Sequence, residues 1–422
     1  MSQRTYHDPL HGGIRLERSR PAEAMAMDLI DTAPFQRLRR IRQLGPAFLT
    51  FHGAESSRFT HSLGVLHLAR QAFDGLVALK PALEKHRGVL LAAALLHDVG
   101  HGPLSHSGEE MYGLRHEAWS ARLVRQHPAL RDRLEAYAPG TAQAVADLLE
   151  HGQYPEPAIK SLVSSQLDCD RLDYLLRDSY STGTRFGQLD LERILAALTL
   201  APDGNIAIHP KGLMAVEHYL VVRNLMYRSV YNHRLNMVCN WLLSQTITTA
   251  RRLGPTLVEA DRVMARWLWQ PDQLGDDDFL ANDDLRTGYH LLRWREEGPA
   301  GLRSLCERLL DRRLLKASDV SALAPAQRLE LLAQARQLCQ AQGLEAELHC
   351  GLHQHQSRGY HPYKGGLRLW DGRNLRALEQ SSPLVRSLIK PVEIAWLIHP
   401  PEVSGPLRAA LGTALAGADR PT

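Results

Sequence analysis

Apolar residues recur every three or four positions along most of this chain, which is the spacing of an amphipathic α-helix. The pattern is clearest before residue 315 and predicts helices over four segments: 35–44, 62–79, 88–100 and 211–231. Residues 5–17 differ, because Pro9 and the pair Gly12-Gly13 lie between short extended pieces. That stretch is therefore predicted to form a β-hairpin ahead of the helices.

The pattern changes after Leu315. One more helix is predicted over 325–341, and short strand-like runs such as ELHCGLHQH and PVEIAWLIHP follow it, separated by Gly and Pro. The fold is therefore predicted to be mainly α, with a short N-terminal β-hairpin and a helical core over residues 1–319. A small α+β C-terminal domain is predicted over residues 320–422.

Composition and charge favour an ordinary globular protein. The 422 residues are 44% hydrophobic and 23% charged, and the net charge of +4 is spread along the chain, which does not indicate nucleic-acid binding. The five cysteines are odd in number and form no C-x-x-C pair, so a reducing compartment is expected. No apolar stretch is long enough to cross a bilayer and no signal peptide is apparent, so we predict a cytoplasmic protein without a membrane partner.

The segment LLAAALLHDVGHGPLSHSGEE, residues 90–110, carries the strongest chemical signal. An apolar helix runs directly into His97-Asp98 and is predicted to stop at Gly100, which is expected to adopt the left-handed backbone conformation. The negative end of the helix dipole favours a cation at this position. Other segments must complete a ligand shell, because neighbouring helical residues point about 100° apart.

Two further segments offer ligands for such a cation. SSRFTHSLGV presents His61 at a helix start, and QLDCDRLDYLLRDS presents Asp168, Asp170, Asp173 and Asp178. Two imidazoles with two carboxylates suit Fe, Mn, Zn or Mg better than a thiolate-binding metal. An isolated His-Asp pair is more often structural, but here ten residues also contain His101 and His106, a density that favours a site.

The order of several sequence blocks resembles the HD-domain phosphohydrolases, and within them the deoxynucleoside triphosphate (dNTP) triphosphohydrolases of the SAM-and-HD-domain type. These blocks are DPLHG, DTAPFQRLRRIRQLG, SSRFTHSLGV, LLHDVGHGPLSH, RHE, LDCDRLDYLLRDSYSTG and VRNLMYRSVYNH. The chain lacks the H-D-x-x-E-D and H-D-x-G-K motifs of two other branches of the superfamily. The resemblance implies an HD-domain helical core and hydrolysis of dNTPs to deoxynucleoside and inorganic triphosphate, by attack of metal-activated water on the α-phosphorus.

The resemblance also implies roles for individual residues. The implied metal ligands are His61, His97, Asp98 and Asp170, with Asp168 outside the shell. The implied catalytic residues are His101, His106, Glu109 and His116, with His106 as the acid and Glu109 as its partner. The implied substrate-binding residues are Gln43, Leu44, Arg58, Arg171, Tyr174, Asp178, Arg223 and Tyr231. Leu44 and Tyr231, which would exclude a 2′-hydroxyl, are equally compatible with ordinary helix packing.

Cofactor and partners follow from the same resemblance. The implied cofactor is a divalent transition metal, Fe, Mn or Zn, with Mg as a companion of the nucleotide phosphates. Asp31, Gln36 and Arg39 match residues that bind an activating guanine nucleotide or dNTP, although a solvated amphipathic helix explains them nearly as well. A homo-oligomer, either a dimer or a tetramer, and the absence of a SAM domain are further expectations.

Two other functions remain open from the sequence. One is an HD phosphohydrolase that acts on another nucleotide, such as a monophosphate or a modified nucleotide, and the other is a nucleotide sensor with vestigial catalysis. The late histidines around His353 and the acidic run GDDDFLANDD, residues 275–284, are not predicted to bind metal. We expect the first to form a strand with an exposed loop and the second a solvated loop with a helix N-cap.

Overall fold

The computed structural model describes residues 2–362 and 366–418, and side chains are described up to residue 412. Helices dominate it. The helices are α1 (Pro21–Ile30), α2 (Ala33–Arg37), α3 (Arg58–Leu79), α4 (Arg87–Leu96), α5 (His106–Tyr112), α6 (His116–Gln126), α7 (Pro128–Tyr137), α8 (Thr141–His151), α9 (Pro157–Val163), α10 (Cys169–Thr182), α11 (Leu191–Ala196), α12 (Leu213–Met226), α13 (Arg234–Leu253), α14 (Arg262–Trp269), α15 (Asp276–Leu280), α16 (Asp284–Glu297), α17 (Ala300–Leu310), α18 (Pro325–Ala341), α19 (Ala346–His349), α20 (Leu378–Ser381), α21 (Pro383–Ser387) and α22 (Ser404–Ala418).

Short strands complete the fold, so the predicted fold class is confirmed. The strands are β1 (Gln3–Asp8), β2 (Gly12–Glu17), β3 (Leu198–Leu200), β4 (Ile206–Ile208), β5 (Lys316–Asp319), β6 (Gly351–Ser357), β7 (Arg368–Trp370), β8 (Leu375–Ala377) and β9 (Val392–His399). β1 and β2 form the predicted N-terminal hairpin, with Asp8 opposite Gly12. The remaining strands form one sheet of order β3-β4-β7-β8 and another of order β5-β9-β6.

The chain divides into two compact units, each built from separate segments. Unit 1 is Met1–Tyr227, Leu274–Leu285 and Gly359–Ile389, and unit 2 is Arg228–Gln273, Arg286–Arg358 and Lys390–Thr422. The predicted border between residues 319 and 320 falls inside unit 2, directly after β5. β7 and β8 belong to unit 1, where β7 pairs with β4. A separately folding domain over 320–422 thus stays a prediction, and its residues 363–365 and 419–422 lie outside the described part.

The centre of unit 1 is α4, which packs against α1, α3 and α8. Its leucines Leu90, Leu91, Leu95 and Leu96 are fully buried. A helix that is apolar on all sides is stable only when other elements surround it, and each buried leucine contributes about 1.5–3 kcal/mol. The apolar run in the sequence therefore fixes α4 as the core helix that carries His97 and Asp98 at its end.

One helix prediction is wrong in length. The segment 35–44 was expected to be a single helix, but α2 ends at Arg37, a 3₁₀ turn covers Leu38–Arg40, and Arg42 forms an isolated bridge with Ser57. The cause is tertiary: the backbone N–H of Arg42 donates to Asp284 and the Arg40 side chain bonds Asp283. These acceptors lie far along the chain, and local periodicity cannot reveal them.

Across residues 2–362 and 366–418, none of the helices is both long enough and apolar enough to cross a membrane.

We expect Gly64→Ala to destabilise the protein, because α3 and α10 approach closely at Gly64. A Cβ at this position would overlap the buried Asp173 carboxylate and lie 2.6 Å from Arg177 Nη2. Overpacking of this kind costs about 1–3 kcal/mol of unfolding free energy. Gly75→Ala on the same helix is the control, since no atom lies within 4 Å of a Cβ there, and it should stabilise by up to about 1 kcal/mol. Equal denaturation midpoints for the two variants would contradict the close approach.

Candidate metal centre

Three helix ends bring the predicted metal ligands to one point in unit 1. His61 lies in the first turn of α3, and Asp170 lies in the first turn of α10. His97 is the C-cap residue of α4, and Asp98 follows it. The donors of His61, His97 and Asp170 all lie within 4.8 Å of one another and can share a metal ion.

The distances describe a compact cluster of nitrogen and oxygen donors. His61 Nε2 is 3.0 Å from Asp170 Oδ1 and 3.3 Å from His97 Nε2. Asp98 completes the group, with Oδ1 3.4 Å from His97 Nε2 and Oδ2 3.6 Å from His61 Nε2. Two imidazole nitrogens that face each other beside two carboxylates suit a divalent cation, and such a donor set fits Fe, Mn or Zn.

The electrostatics of the cluster keep its carboxylates ionised. Burial acts to raise the pKa of Asp98, but Arg58, His97 and His101 together lower it well below the ordinary value. Burial also opposes ionisation of Asp170, whereas the hydrogen bond from His61 lowers its pKa. Burial acts to lower the pKa of His61, but hydrogen bonds to Asp170 and Asp173 raise it to about 10. The pocket is thus built to hold positive charge.

A buried network behind His61 was not assigned a role from the sequence. His61 Nδ1 lies 2.7 Å from Asp173 Oδ2, and Asp173 also bonds His11 at 2.6 Å and Arg177 at 2.8 Å. Arg177 in turn bonds Asp8 at 2.9 Å. A carboxylate on Nδ1 orients the ring and leaves Nε2 directed at the metal position. The sequence feature that could have indicated this network is the DPLHG block, which supplies Asp8 and His11 from the N-terminal hairpin.

The end of α4 differs from the prediction in one respect. Gly100 does not have a positive φ; the positive φ values follow later, 63° at Leu104 and 56° at Ser105. Gly100 is needed for another reason, because a Cβ there would overlap the backbone of His116 and Ser120 on α6. Ser120 Oγ accepts from the Gly100 N–H and donates to the His97 carbonyl. α6 therefore closes the helix end that carries the ligands.

The four predicted catalytic residues form a second cluster beside the first. Glu109 Oε2 lies 2.8 Å from His106 Nδ1, and Glu109 Oε1 contacts His116 Nδ1 and accepts from the His116 backbone N–H at 2.7 Å. The His101 ring stacks on His116 with centroids 3.9 Å apart. His101 Nε2 is 3.2 Å from Asp98 Oδ1, so His101 joins the two clusters. These four residues could also hold a cation, but one carboxylate shared by two Nδ1 atoms is better suited to proton transfer.

Each member of the second cluster has a distinct electrostatic setting. Burial opposes ionisation of Glu109, but hydrogen bonds from His106 and His116 lower its pKa strongly. Burial acts to lower the pKa of His116, whereas Glu109 raises it above the ordinary value. Burial, Arg58 and His116 lower the pKa of His101 well below its ordinary value. His106 has a side chain that is 68% exposed, so it is the member that an incoming ester can reach.

The predicted substrate residues of α10 share one helix face with Asp170, a predicted metal ligand. Asp170, Tyr174 and Asp178 are spaced by four residues, which places them one above another. Arg171 donates to the Ser165 carbonyl at 2.8 Å and to the Tyr174 hydroxyl at 3.2 Å. Asp168 lies outside the ligand cluster and caps α10 by accepting from the Arg171 N–H at 2.8 Å. The face is a continuous strip of polar groups that leads away from the metal cluster.

Two other predicted substrate residues carry polar atoms suited to a ligand. Gln43 and Arg223 are 8% and 7% exposed. Gln43 Oε1 and Arg223 Nη1 have no hydrogen-bond partner within the described residues. Buried polar atoms are seldom left unpaired, and each exception calls for an unseen partner such as a ligand. Leu44, beside Gln43, is half-buried.

Arg58 and Tyr231 are placed differently from the other predicted substrate residues. Arg58 is buried, and it bonds Asp98, Ser105 Oγ at 2.7 Å and the Gln43 carbonyl at 3.4 Å. Its guanidinium is therefore already hydrogen-bonded to protein groups. Tyr231 ends the π-helical turn that follows α12 and belongs to unit 2.

The residues predicted to bind an activating nucleotide are engaged within the chain. Arg4 binds both oxygens of Asp31, at 2.7 and 2.8 Å. Gln36 donates to the Ile30 carbonyl at 2.7 Å and accepts from Arg39 Nε at 2.8 Å. The Arg39 guanidinium also lies 3.5 Å from the centre of the Phe59 ring.

The two regions predicted not to bind metal differ in how their structure compares with the one predicted for them. His353 and His355 lie on β6, and neither belongs to a metal-capable group of the described residues. The acidic run is not a solvated loop: it contains α15, and Asp278, Asp283 and Asp284 are buried. Arginines and backbone N–H groups of distant segments bind Asp283 and Asp284, which is why charge patterning misjudged them.

The fold and the site together define a class: helical metal-dependent hydrolases in which a His-Asp pair at a helix end forms part of the ligand set. Comparison with known families agrees. Residues 58–178 match the HD domain, and residues 189–341 match the HD associated region.

Individual relatives support the same assignment. The chain is 36% identical over 316 residues to the uncharacterized protein YwfO of Bacillus subtilis, covering 74% of this chain and 71% of YwfO. It is 28% identical over 265 residues to the deoxynucleoside triphosphate triphosphohydrolase SAMHD1 homolog of Dictyostelium discoideum, covering 59% of this chain and 50% of that protein. A crystal structure of a phosphohydrolase from Bacteroides thetaiotaomicron superposes with a TM-score of 0.81 at 26% identity, covering 94% of this chain and 99% of the other.

The chain belongs to the HD-domain phosphohydrolase family. It spans about half the length of the SAMHD1 relatives that it matches. The coarse prediction of a metal-binding phosphohydrolase is thereby confirmed.

Proposed function

We propose that this protein hydrolyses deoxynucleoside triphosphates to a deoxynucleoside and inorganic triphosphate. The observation that carries the proposal is the contact between the two clusters, where His101 lies 3.2 Å from Asp98 and stacks on His116. An ester bound at the ligand cluster lies beside the exposed imidazole of His106. Relatives named as deoxynucleoside triphosphate triphosphohydrolases add support for this substrate class.

His61, His97, Asp98 and Asp170 hold the metal in this proposal. The mixed nitrogen and oxygen donors favour Fe, Mn or Zn, and Mg would accompany the nucleotide phosphates. A bound divalent ion supplies the charge that acidifies a water molecule and polarises the phosphate. Asp173 holds the His61 ring so that Nε2 faces the ion.

The second cluster supplies the proton for the leaving group. Water adds to the α-phosphorus, one of its protons passes to solvent, and the bond from phosphorus to the 5′ oxygen breaks. His106 donates a proton from its ring to that oxygen, so that the deoxynucleoside leaves as an alcohol. Glu109 accepts from His106 Nδ1 and from His116, which orients the acid and balances its charge.

The remaining residues bind the substrate. Arg223 donates from Nη1, which has no partner within the described residues, to a phosphate oxygen of the dNTP. Arg171 also binds the phosphates, because guanidinium groups are well suited to phosphate oxygens. Arg58, which bonds Asp98, adds a positive charge close to the bound phosphates. Gln43, Tyr174 and Asp178 hold the sugar, and Leu44 with Tyr231 excludes a 2′-hydroxyl.

Regulation by a second nucleotide is part of the proposal. Asp31, Gln36 and Arg39 bind a guanine nucleotide or a dNTP and favour a dimer or tetramer of the chain. Because Arg4 already pairs with Asp31, the activating nucleotide must displace Arg4.

Product analysis tests the proposal. Protein loaded with Mn or Fe is incubated in ¹⁸O-labelled water with each dNTP and with GTP, singly and mixed, and products are resolved by chromatography and mass spectrometry. We expect a deoxynucleoside without label and inorganic triphosphate with label, because water attacks phosphorus. Deoxynucleoside monophosphate with pyrophosphate, or dNTP binding without turnover in every mixture, would contradict the proposal. Turnover only in mixtures would support an activator site at Asp31, Gln36 and Arg39.

A further inference from the structure

The loop between α4 and α5 precedes the acid His106 and has an uncommon backbone. We call His101–Ser105 the catalytic loop. Its last two residues, Leu104 and Ser105, have φ values of 63° and 56°, which non-glycine residues rarely adopt. Such a conformation is unfavourable for a residue with a side chain and persists only where its surroundings hold it. The contacts that hold this loop therefore determine where His106 begins α5.

Arg37 holds the start of the catalytic loop. Its side chain is 1% exposed, and Nη1 donates to the His101 carbonyl at 2.7 Å. Nε and Nη2 donate to the Asn282 carbonyl at 3.0 and 2.6 Å. Burial lowers the pKa of Arg37 to about 10, although Asp283 and Asp284 act to raise it. Burial of a guanidinium whose partners are neutral carbonyls costs solvation free energy. We therefore interpret Arg37 as a residue that fixes the position of the loop.

Asp284 holds the end of the catalytic loop. Its carboxylate is 3% exposed and accepts from the Leu104 N–H at 2.7 Å and from the Arg42 N–H at 2.9 Å. Ser105 Oγ donates to the Arg42 carbonyl at 2.6 Å and accepts from Arg58 Nε at 2.7 Å. Both strained residues therefore have direct hydrogen-bond partners, and one of these partners, Asp284, is 180 residues away in sequence from Leu104.

We propose that Arg37 and Asp284 are positioning residues that set the catalytic loop so that His106 can protonate the leaving group. This inference rests on the proposed function, in which His106 is the acid. Neither residue touches the ligand cluster in the contacts described above, and each acts on a backbone group of the loop. A displacement of about 1 Å in the acid is enough to lower turnover by about 10²-fold.

Variants of these two residues test the inference with two substrates. Asp284→Asn keeps the shape but replaces one accepting oxygen with a donor, and Arg37→Lys keeps the charge but cannot bridge two carbonyls. We expect each to lower kcat on the dNTP by about 10²-fold. Para-nitrophenyl triphosphate, in which para-nitrophenolate takes the place of the deoxynucleoside and departs without a proton, should lose far less. Arg40→Ala is the matched control, because Arg40 bonds Asp283 in the same segment, and it should leave both rates unchanged.

Amide hydrogen exchange gives a readout that does not depend on turnover. The peptide containing Leu104 should exchange faster in Asp284→Asn than in the native protein or in Arg40→Ala. Unchanged exchange and unchanged kcat in both variants would overturn the inference. An equal loss with both substrates would also overturn it, since that is the result of a purely structural role. If the native protein does not hydrolyse dNTPs, the proposed function fails separately, and exchange still reports whether Asp284 holds the loop.

Discussion

His97→Ala is expected to lose bound metal and to lower kcat/KM on every phosphate ester that the protein cleaves by at least about 10³-fold. His97 Nε2 lies within 3.7 Å of His61 Nε2, Asp98 Oδ1 and Asp170 Oδ1, so its removal opens the centre of the donor cluster. A bound divalent ion is worth several kcal/mol of transition-state stabilisation, which corresponds to this loss in rate. Metal content is measured by elemental analysis of purified protein, and activity is measured after reloading.

The control for this variant is His86→Ala at the other end of the same helix. His86 precedes α4 and its Nδ1 lies 2.8 Å from the Tyr154 hydroxyl. It should keep its metal and its activity, because it is far from the donors along α4. A His97→Ala protein with full metal content and full activity would show that the cluster is not the catalytic centre.

Glu109→Gln is expected to lower kcat on dNTPs by about 10²–10⁴-fold, which is the usual contribution of general acid catalysis. Glu109 accepts from His106 and His116, and a neutral amide cannot balance a protonated imidazole. Para-nitrophenyl triphosphate needs no acid, and the variant should cleave it at a rate near that of the native protein. Glu110→Gln, at the next and exposed position of α5, is the control.

The same variant should show a pH-dependent loss of stability. The pKa of His116 is raised in the folded protein. Its contribution to the free energy of unfolding is therefore complete below pH of about 6.5 and is lost as pH rises through its folded-state pKa. The pKa of Glu109 is lowered in the folded protein. Its contribution to the free energy of unfolding is therefore present above pH of about 4.5 and is lost only as pH falls through its folded-state pKa. The difference in unfolding free energy between native protein and Glu109→Gln should be largest between these values and should shrink as pH rises through the raised pKa of His116. A constant difference across this range would contradict the ion pair.

The local pattern of the chain predicted much of the fold. α18 occupies the predicted range 325–341, and the N-terminal hairpin forms where Pro9 and Gly12-Gly13 indicated a turn. α4 follows from an apolar run that no exposed helix would carry. Such features depend on contacts between residues a few positions apart, and periodicity records those contacts directly.

The candidate site was predicted in part. The structure brings His61, His97, Asp98 and Asp170 together, and it groups His106 with Glu109 and His116. Their roles stay predictions until metal content and products are measured. Asp173 was considered only as a possible metal ligand, and His11 and Arg37 were assigned no role, because their partners lie on other elements and no spacing rule connects them.

The sequence by itself predicted which residues carry the chemistry, and it determined which helix places His97 and Asp98 at its end. The tertiary structure alone decided how they are held. A run of aspartates looks solvated when only its neighbours in sequence are considered, yet Asp283 and Asp284 are buried against Arg40, Arg42 and the N–H of Leu104. The physical reason is that a buried charge is stable only with a partner, and the arginines that pair with these aspartates come from a distant part of the chain.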